Sequence, residues 1–103
     1  MSRTPLQATF RVGPLSQIEE VDEGACALLG YSRGELLSMH GSDLVLAQDR
    51  PVVAMSVNEM RLGALAHSQG RLLRKDGSLV SVDVTGHPLG EGRVELRVVS
   101  LES

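Results

Sequence analysis

The residues of this sequence that could do chemistry are one thiol, three imidazoles, two helix-spaced thioethers and a scatter of carboxylates. Cys26 is the single cysteine, so it makes no disulfide within the chain. It stands beside Ala25, Leu28 and Leu29 at helical spacing, which reads as a small thiol packed in a core rather than a nucleophile. His40, His67 and His87 are the three histidines. They lack the close spacing that a metal site needs, so no metal is expected. Met55 and Met60 carry thioethers that can ligate heme iron, but methionines at this spacing read as core filler.

Asp22, Glu35, Asp43 and Asp49 are the acids open to a catalytic reading. General acid–base work needs such groups placed against a substrate with shifted pKa values. Three of them stand instead where helices begin: Asp22 ahead of an apolar helical pattern, Glu35 three residues after Ser32, and Asp49 ahead of Arg50-Pro51. No Ser/His/Asp or Cys/His arrangement is visible, and no phosphate-cradling glycine loop. The chain is therefore read as non-catalytic, with catalytic residues none.

Composition narrows the remaining classes. A chain of 103 residues makes one domain, and 42% apolar with 22% charged residues is ordinary for a globular one. The net charge of −3 and the scarcity of aromatics, Phe10 and Tyr31 alone, leave neither a basic stripe nor a stacking platform for nucleic acid. Arg74-Lys75 is the densest basic pair. No apolar run approaches the roughly 18 residues of a membrane span, and no apolar stretch follows Met1–Pro5 as it would in a secretory leader. With a lone cysteine, these features point to a cytoplasmic segment.

The elements that must position any site follow from periodicity. Residues 1–7 read as a tail. Ala8–Val12 suits a strand, Gly13-Pro14 a turn, and Leu15–Val21 a second strand anchored by Leu15 and Ile18. Asp22 starts a short helix that Gly30 ends. Ser32 and Glu35 form a capping box for the next one, with Leu36, Leu37 and Met39 on its apolar side. Leu44-Val45-Leu46 is expected to be buried. Asp49 caps, and Pro51 opens, the longest helix, which carries Val53, Val57 and Met60 and stops at Gly63. The period then changes. His67–Arg74 suits a strand, and Lys75-Asp76-Gly77-Ser78 a hairpin turn. Val80, Val82 and Val84 alternate with polar residues until Pro88 ends the strand. After Gly90-Glu91-Gly92, Val94, Leu96 and Val98 alternate in a last strand. Strands at both ends with helices between them make an α+β domain whose helices cover one sheet face.

This order, with its motifs, resembles the PAS (Per-Arnt-Sim) sensor domain family. Val21 to Leu36, with Leu28-Leu29-Gly30-Tyr31-Ser32 at its centre, is similar to the family's "VN-x-A-…-LLGYS-x-x-EL" segment. Asp49-Arg50-Pro51 is similar to its entry to the long helix, and Arg74-Lys75-Asp76-Gly77-Ser78 to its "RKDGS" hairpin. The resemblance covers about residues 8 to 100, taken as the domain, with 101–103 as a tail. It implies a PAS fold: a five-stranded antiparallel sheet with short helices and one longer helix packed on one face. The sequence departs from the family at Asp22, where Asn is usual, and after Val99, where the Asp-x-Thr exit motif is missing.

The resemblance also implies a place for a ligand, between the long helix and the sheet. Val53, Val57 and Met60 would line one wall and Val80, Val82, Val84, Leu96 and Val98 the other, with Leu28, Leu29 and Leu44 closing the ends. Such a lining suits a small apolar ligand or none. Heme and flavin are disfavoured: residues 50–63 hold no His, and Cys26 lacks the motif of flavin-adduct relatives. A small core also spares little volume for a large cofactor. The function implied is a sensory module of a signal-transduction protein such as a sensor histidine kinase. It would act by conformational shift, as a homodimer beside a neighbouring output domain that would hold any kinase or cyclase activity. The alternative is a ligand-free dimerisation or docking domain, for which the polar outer sheet face suits a modest interface.

Overall fold

The computed structural model describes residues 6–101. The expected tail of residues 1–7 falls mostly outside that range, as do residues 102–103, and the first strand begins at Gln7. The strands are β1 (Gln7–Val12), β2 (Ile18–Val21), β3 (His67–Leu73), β4 (Leu79–Gly90) and β5 (Arg93–Ser100). Between β2 and β3 lie α1 (Glu23–Leu29), α2 (Arg33–Leu37), 3-10 turns at Gly41–Leu44 and Ala47–Asp49, and α3 (Arg50–Arg61).

The strands form one antiparallel sheet in the order β2-β1-β5-β4-β3. Register places Ala8 beside Val98 beside Val84, and Phe10 beside Leu96 beside Gly86. Because side chains alternate along a strand, these rows share one face, and all the helices pack on it. The core runs through Ala8, Phe10, Val12, Val80, Val82, Val94 and Val98 of the sheet to Ala25, Leu28, Leu29, Leu36 and Met60 above it. The opposite face is charged and paired. Arg11 meets Glu20 at 3.2 Å and Glu95 at 3.3 Å, Arg97 meets Glu95 at 3.1 Å, and His67 meets Asp83 at 2.8 Å.

Local chemistry sets the short helices. Asp22 Oδ1 accepts the Ala25 N–H at 2.9 Å and caps α1, and Gly30 closes it at φ 81°, a left-handed conformation that glycine takes without strain. Ser32 Oγ accepts the Glu35 N–H at 3.1 Å while Glu35 returns a bond to the Ser32 N–H at 2.9 Å, the reciprocal pair of a capping box.

Several expectations need correction. Met55 is not core filler: it is 63% exposed on α3, and only Met60 packs in the core. Leu44 and Val45 are buried but Leu46 is only half-buried. Leu15 does not anchor β2. It sits 78% exposed in a turn, because Ser16 takes φ 64° and its N–H bonds back to Gly13. Asp49 makes no capping bond. The preceding 3-10 turn already gives it helical backbone angles, and its carboxylate is engaged by Arg71 at 2.8 Å. Pro88 does not end β4, which continues to Gly90 and pairs Pro88 with Val94. The Gly86 N–H points to Ala66 on the β3 side, and by alternation the Pro88 nitrogen faces that same side, beyond the last β3 pair at His67–Thr85. No ladder bond is lost there, which is where a sheet tolerates proline.

Candidate functional site

α3 crosses the sheet with Arg50, Val53, Ala54 and Val57 on its inner side, the i, i+3, i+4, i+7 spacing of one helical face. Beneath them a cavity of about 140 Å³ remains. Its floor is Phe10, Val12, Val84, Leu96 and Val98 of the sheet, with Leu72 toward the β3 edge. Ile18, Leu44 and Val45 complete the apolar lining. One end is polar, with Ser16, His40, Gly41, Ser42 and Arg50.

Of the residues expected at a ligand site, Leu44, Val53, Val57, Val84, Leu96 and Val98 border the cavity. Leu28, Leu29, Met60, Val80 and Val82 do not; each is almost wholly buried in the continuous core. Met60 is excluded because Gly86 lies directly under it. A Cβ on Gly86 would sit 2.6 Å from Met60 Cβ. The sheet and the C-terminal half of α3 therefore touch, and the open volume is confined to the N-terminal half. Leu28 and Leu29 ride on α1, which lies over β1 and abuts the β3–β4 hairpin: the Lys75 N–H donates to the Leu29 carbonyl at 2.9 Å.

The polar end was not foreseen as part of a site. His40 acts there as a bracket. Its Nδ1 accepts the Ser42 N–H at 3.1 Å, its Nε2 meets the Leu15 carbonyl, and its own N–H donates to Asp43 at 2.9 Å. Gly41 N–H donates to the Ser16 carbonyl at 2.8 Å, so the loop before β2 is laced to residues 40–42. Arg50 Nε donates to the Ser42 carbonyl at 3.1 Å. At the other end of α3, Arg61 donates to the carbonyls of Gly92 at 2.6 Å and Gly13 at 3.1 Å, and to Ser16 Oγ at 3.3 Å. The helix is thus tied at its N-terminal end to the 3-10 turn that follows α2 and at its C-terminal end to two strand-connecting turns.

Ion pairs shift several carboxylates. The bond from Arg71 holds Asp49 below the ordinary range, against partial burial. Lys75, at 2.7 Å, does the same for Glu35, helped by the Ser32 N–H. Burial pushes Glu95 upward, but Arg11 and Arg97 together outweigh it and lower its pKa. None of these groups borders the cavity. Among the described residues, no three His, Cys, Asp or Glu side chains converge as metal ligands, and no helix is long and apolar enough to cross a membrane. Cys26 is half-buried beside the core. Of the histidines, His40 alone reaches the cavity, and both its ring nitrogens are engaged.

Comparison with known proteins places this architecture. A family model described as the PAS fold matches residues 18–101. A search of curated proteins returned no match. Solved structures agree in fold. A domain of a sensory box sensor histidine kinase/response regulator from Geobacter sulfurreducens superposes with a TM-score of 0.78 at 20% identity, over 91% of this chain and 82% of that one. The PAS domain of a LuxR-family transcriptional regulator from Burkholderia thailandensis, solved in complex with ethanol, gives 0.79 at 13% identity, over 94% and 90%. The PAS domain of an HTR-like protein from Haloarcula marismortui gives 0.62 at 27% identity, over 91% and 78%.

Proposed function

The chain belongs to the PAS-fold family, and from that premise we propose that it is a cytoplasmic sensory module of a signal-transduction protein that admits a small molecule under α3. The observation that carries this reading is the cavity of about 140 Å³, whose lining is mainly apolar and which is polar at one end. Dry apolar cavities of about 150 Å³ take up molecules the size of benzene. The volume suits such a ligand and not a heme or flavin. Fold alone would not settle function; support for a sensory role comes from relatives that are pieces of a sensor histidine kinase/response regulator and a transcriptional regulator. The Burkholderia relative's complex with ethanol, a small neutral molecule, is consistent with it.

The mechanism is a population shift. A ligand that fills the space under Arg50–Val57 better when α3 stands slightly off the sheet favours that packing, and its effect is limited by its differential affinity for the two packings. Arg61 carries the displacement to the turns at Gly13 and Gly92. From there it reaches the sheet, and through it a homodimer partner or a neighbouring output domain that supplies any enzymatic activity.

Native mass spectrometry of the freshly purified chain tests this. A reproducible added mass, released on denaturation, is the expected result. A bare polypeptide mass that stays bare after incubation with small apolar molecules overturns the ligand reading in favour of a docking module.

A further inference from the structure

The cavity's polar end is chemically unequal. Ser42 Oγ lies 2.8 Å from His40 Nδ1, Ser16 Oγ accepts from Arg61, and the imidazole is bonded through both nitrogens. Arg50 is different. It is the only Arg, Lys, Asp or Glu among the described residues that borders the cavity. Its Nε is held by the Ser42 carbonyl, while its two Nη atoms have neither a hydrogen bond nor an ion pair among the described residues. The nearest acids in sequence are committed elsewhere: Asp49 to Arg71, and Asp43 to the His40 N–H. By contrast Arg11, Arg71, Arg93 and Arg97 each meet a carboxylate of the chain. A guanidinium fixed through Nε presents its Nη edge as a fork shaped for a planar anion.

We infer that the cavity takes a short straight-chain monocarboxylic acid, its alkyl tail among Val53, Val57, Val84 and Leu96 and its carboxylate on the Nη edge of Arg50. This rests on the ligand-binding reading above and narrows it. Arg50 is exposed at the polar mouth of the cavity, and its one guanidinium matches one negative charge, so a singly charged head is balanced there and a dianion is not. Length follows from volume: a cavity close to the size that holds benzene accommodates a chain of about six carbons, the carboxyl carbon included. Hexanoate is therefore the probe, and hexan-1-ol is its neutral counterpart.

Titration calorimetry of both probes into the full chain, and into the Arg50→Gln and Val57→Phe variants, tests the inference. Hexanoate is expected to bind the native chain more tightly than hexan-1-ol. Arg50→Gln should weaken hexanoate about tenfold or more, through loss of a charge-assisted bond, and leave the alcohol within about twofold. Raising salt should weaken only the acid. Val57→Phe should abolish both; if that variant does not fold, Val57→Leu should weaken both. Equal response of acid and alcohol to Arg50→Gln, or native preference for the alcohol, overturns the inference and leaves the cavity reading standing. Hexanoate binding that survives the Val57 variants places the acid on the surface and also overturns it. Failure of both probes on the native chain overturns the inference, while the ligand reading itself is judged by native mass.

Discussion

Asp22 works with a single oxygen on two elements: Oδ1 accepts the Ala25 N–H at the start of α1 and the Thr9 N–H of β1 at 3.0 Å. Replacing it with alanine removes a cap and an anchor together. Asp22→Ala should cost about 1–2 kcal/mol in urea unfolding, and Asp22→Asn much less, because an amide oxygen can still accept. The paired carboxylates make a different prediction. Asp49, Glu35, Asp76 and Glu95 all have folded-state pKa values lowered from their ordinary ones, Asp76 by the Ser78 hydroxyl and N–H. A lowered folded value means that the contribution is whole above the unfolded carboxylate pKa of about 4 and is lost as pH falls through the folded value. The Tm should hold between about pH 5 and 8 and decline below about pH 4. Asp49→Asn should lower the Tm at neutral pH and shallow that decline; an unchanged acid limb would show that the Arg71 pair contributes nothing.

At the scale of elements, the seating of α3 depends on a glycine. Gly86 is buried in β4 where Met60 presses on the sheet, and an added methyl would lie 2.6 Å from Met60 Cβ and 2.7 Å from its Sδ. Since Met60 Cβ moves only with its backbone, Gly86→Ala must push the helix outward, at a cost of about 1–3 kcal/mol. Combined with Met60→Gly, which removes that Cβ, the cost should fall short of the sum of the two single changes, because one relieves the other. Additive costs in chemical unfolding would mean that the two positions do not press on each other.

For the whole molecule, the cavity is stability left unrealised. The pocket is partly open, so the cost is below that of an enclosed void of about 140 Å³, for which about 24 cal/mol per Å³ gives an upper bound of about 3 kcal/mol. A domain of this size has only about 5–15 kcal/mol in total, so even part of that bound is a considerable fraction. Val57→Ile and Val84→Ile each add a methylene pointing into the open space. Each should raise stability by up to about 1 kcal/mol while reducing uptake of hexan-1-ol. A fall in Tm would show that the space is closed to an added methylene.

What the sequence by itself determined lies within the reach of one turn or one strand. The Ser32–Glu35 capping box, the Asp22 cap, the Gly30 stop and the period-two valines of β4 and β5 are short-range patterns, and their order was enough for the α+β fold with helices on one face. The motifs from Val21 to Leu36 and Arg74 to Ser78 then pointed to the PAS fold, which the match over residues 18–101 shows. Only the tertiary structure decided where space is left. Val53, Val57, Val84 and Leu96 border the cavity while the equally aliphatic Val80, Val82 and Leu28 fill the core, a difference set by Gly86 bringing one end of α3 onto the sheet. It also decided that Asp49 answers Arg71, 22 residues away, instead of capping its own helix. Arg50 is the same case: its Nη atoms stand out because no acid among the described residues reaches them. Caps and periodicities are read from neighbours in sequence, whereas cavities and unspent charges depend on what packing brings together from opposite ends of the chain.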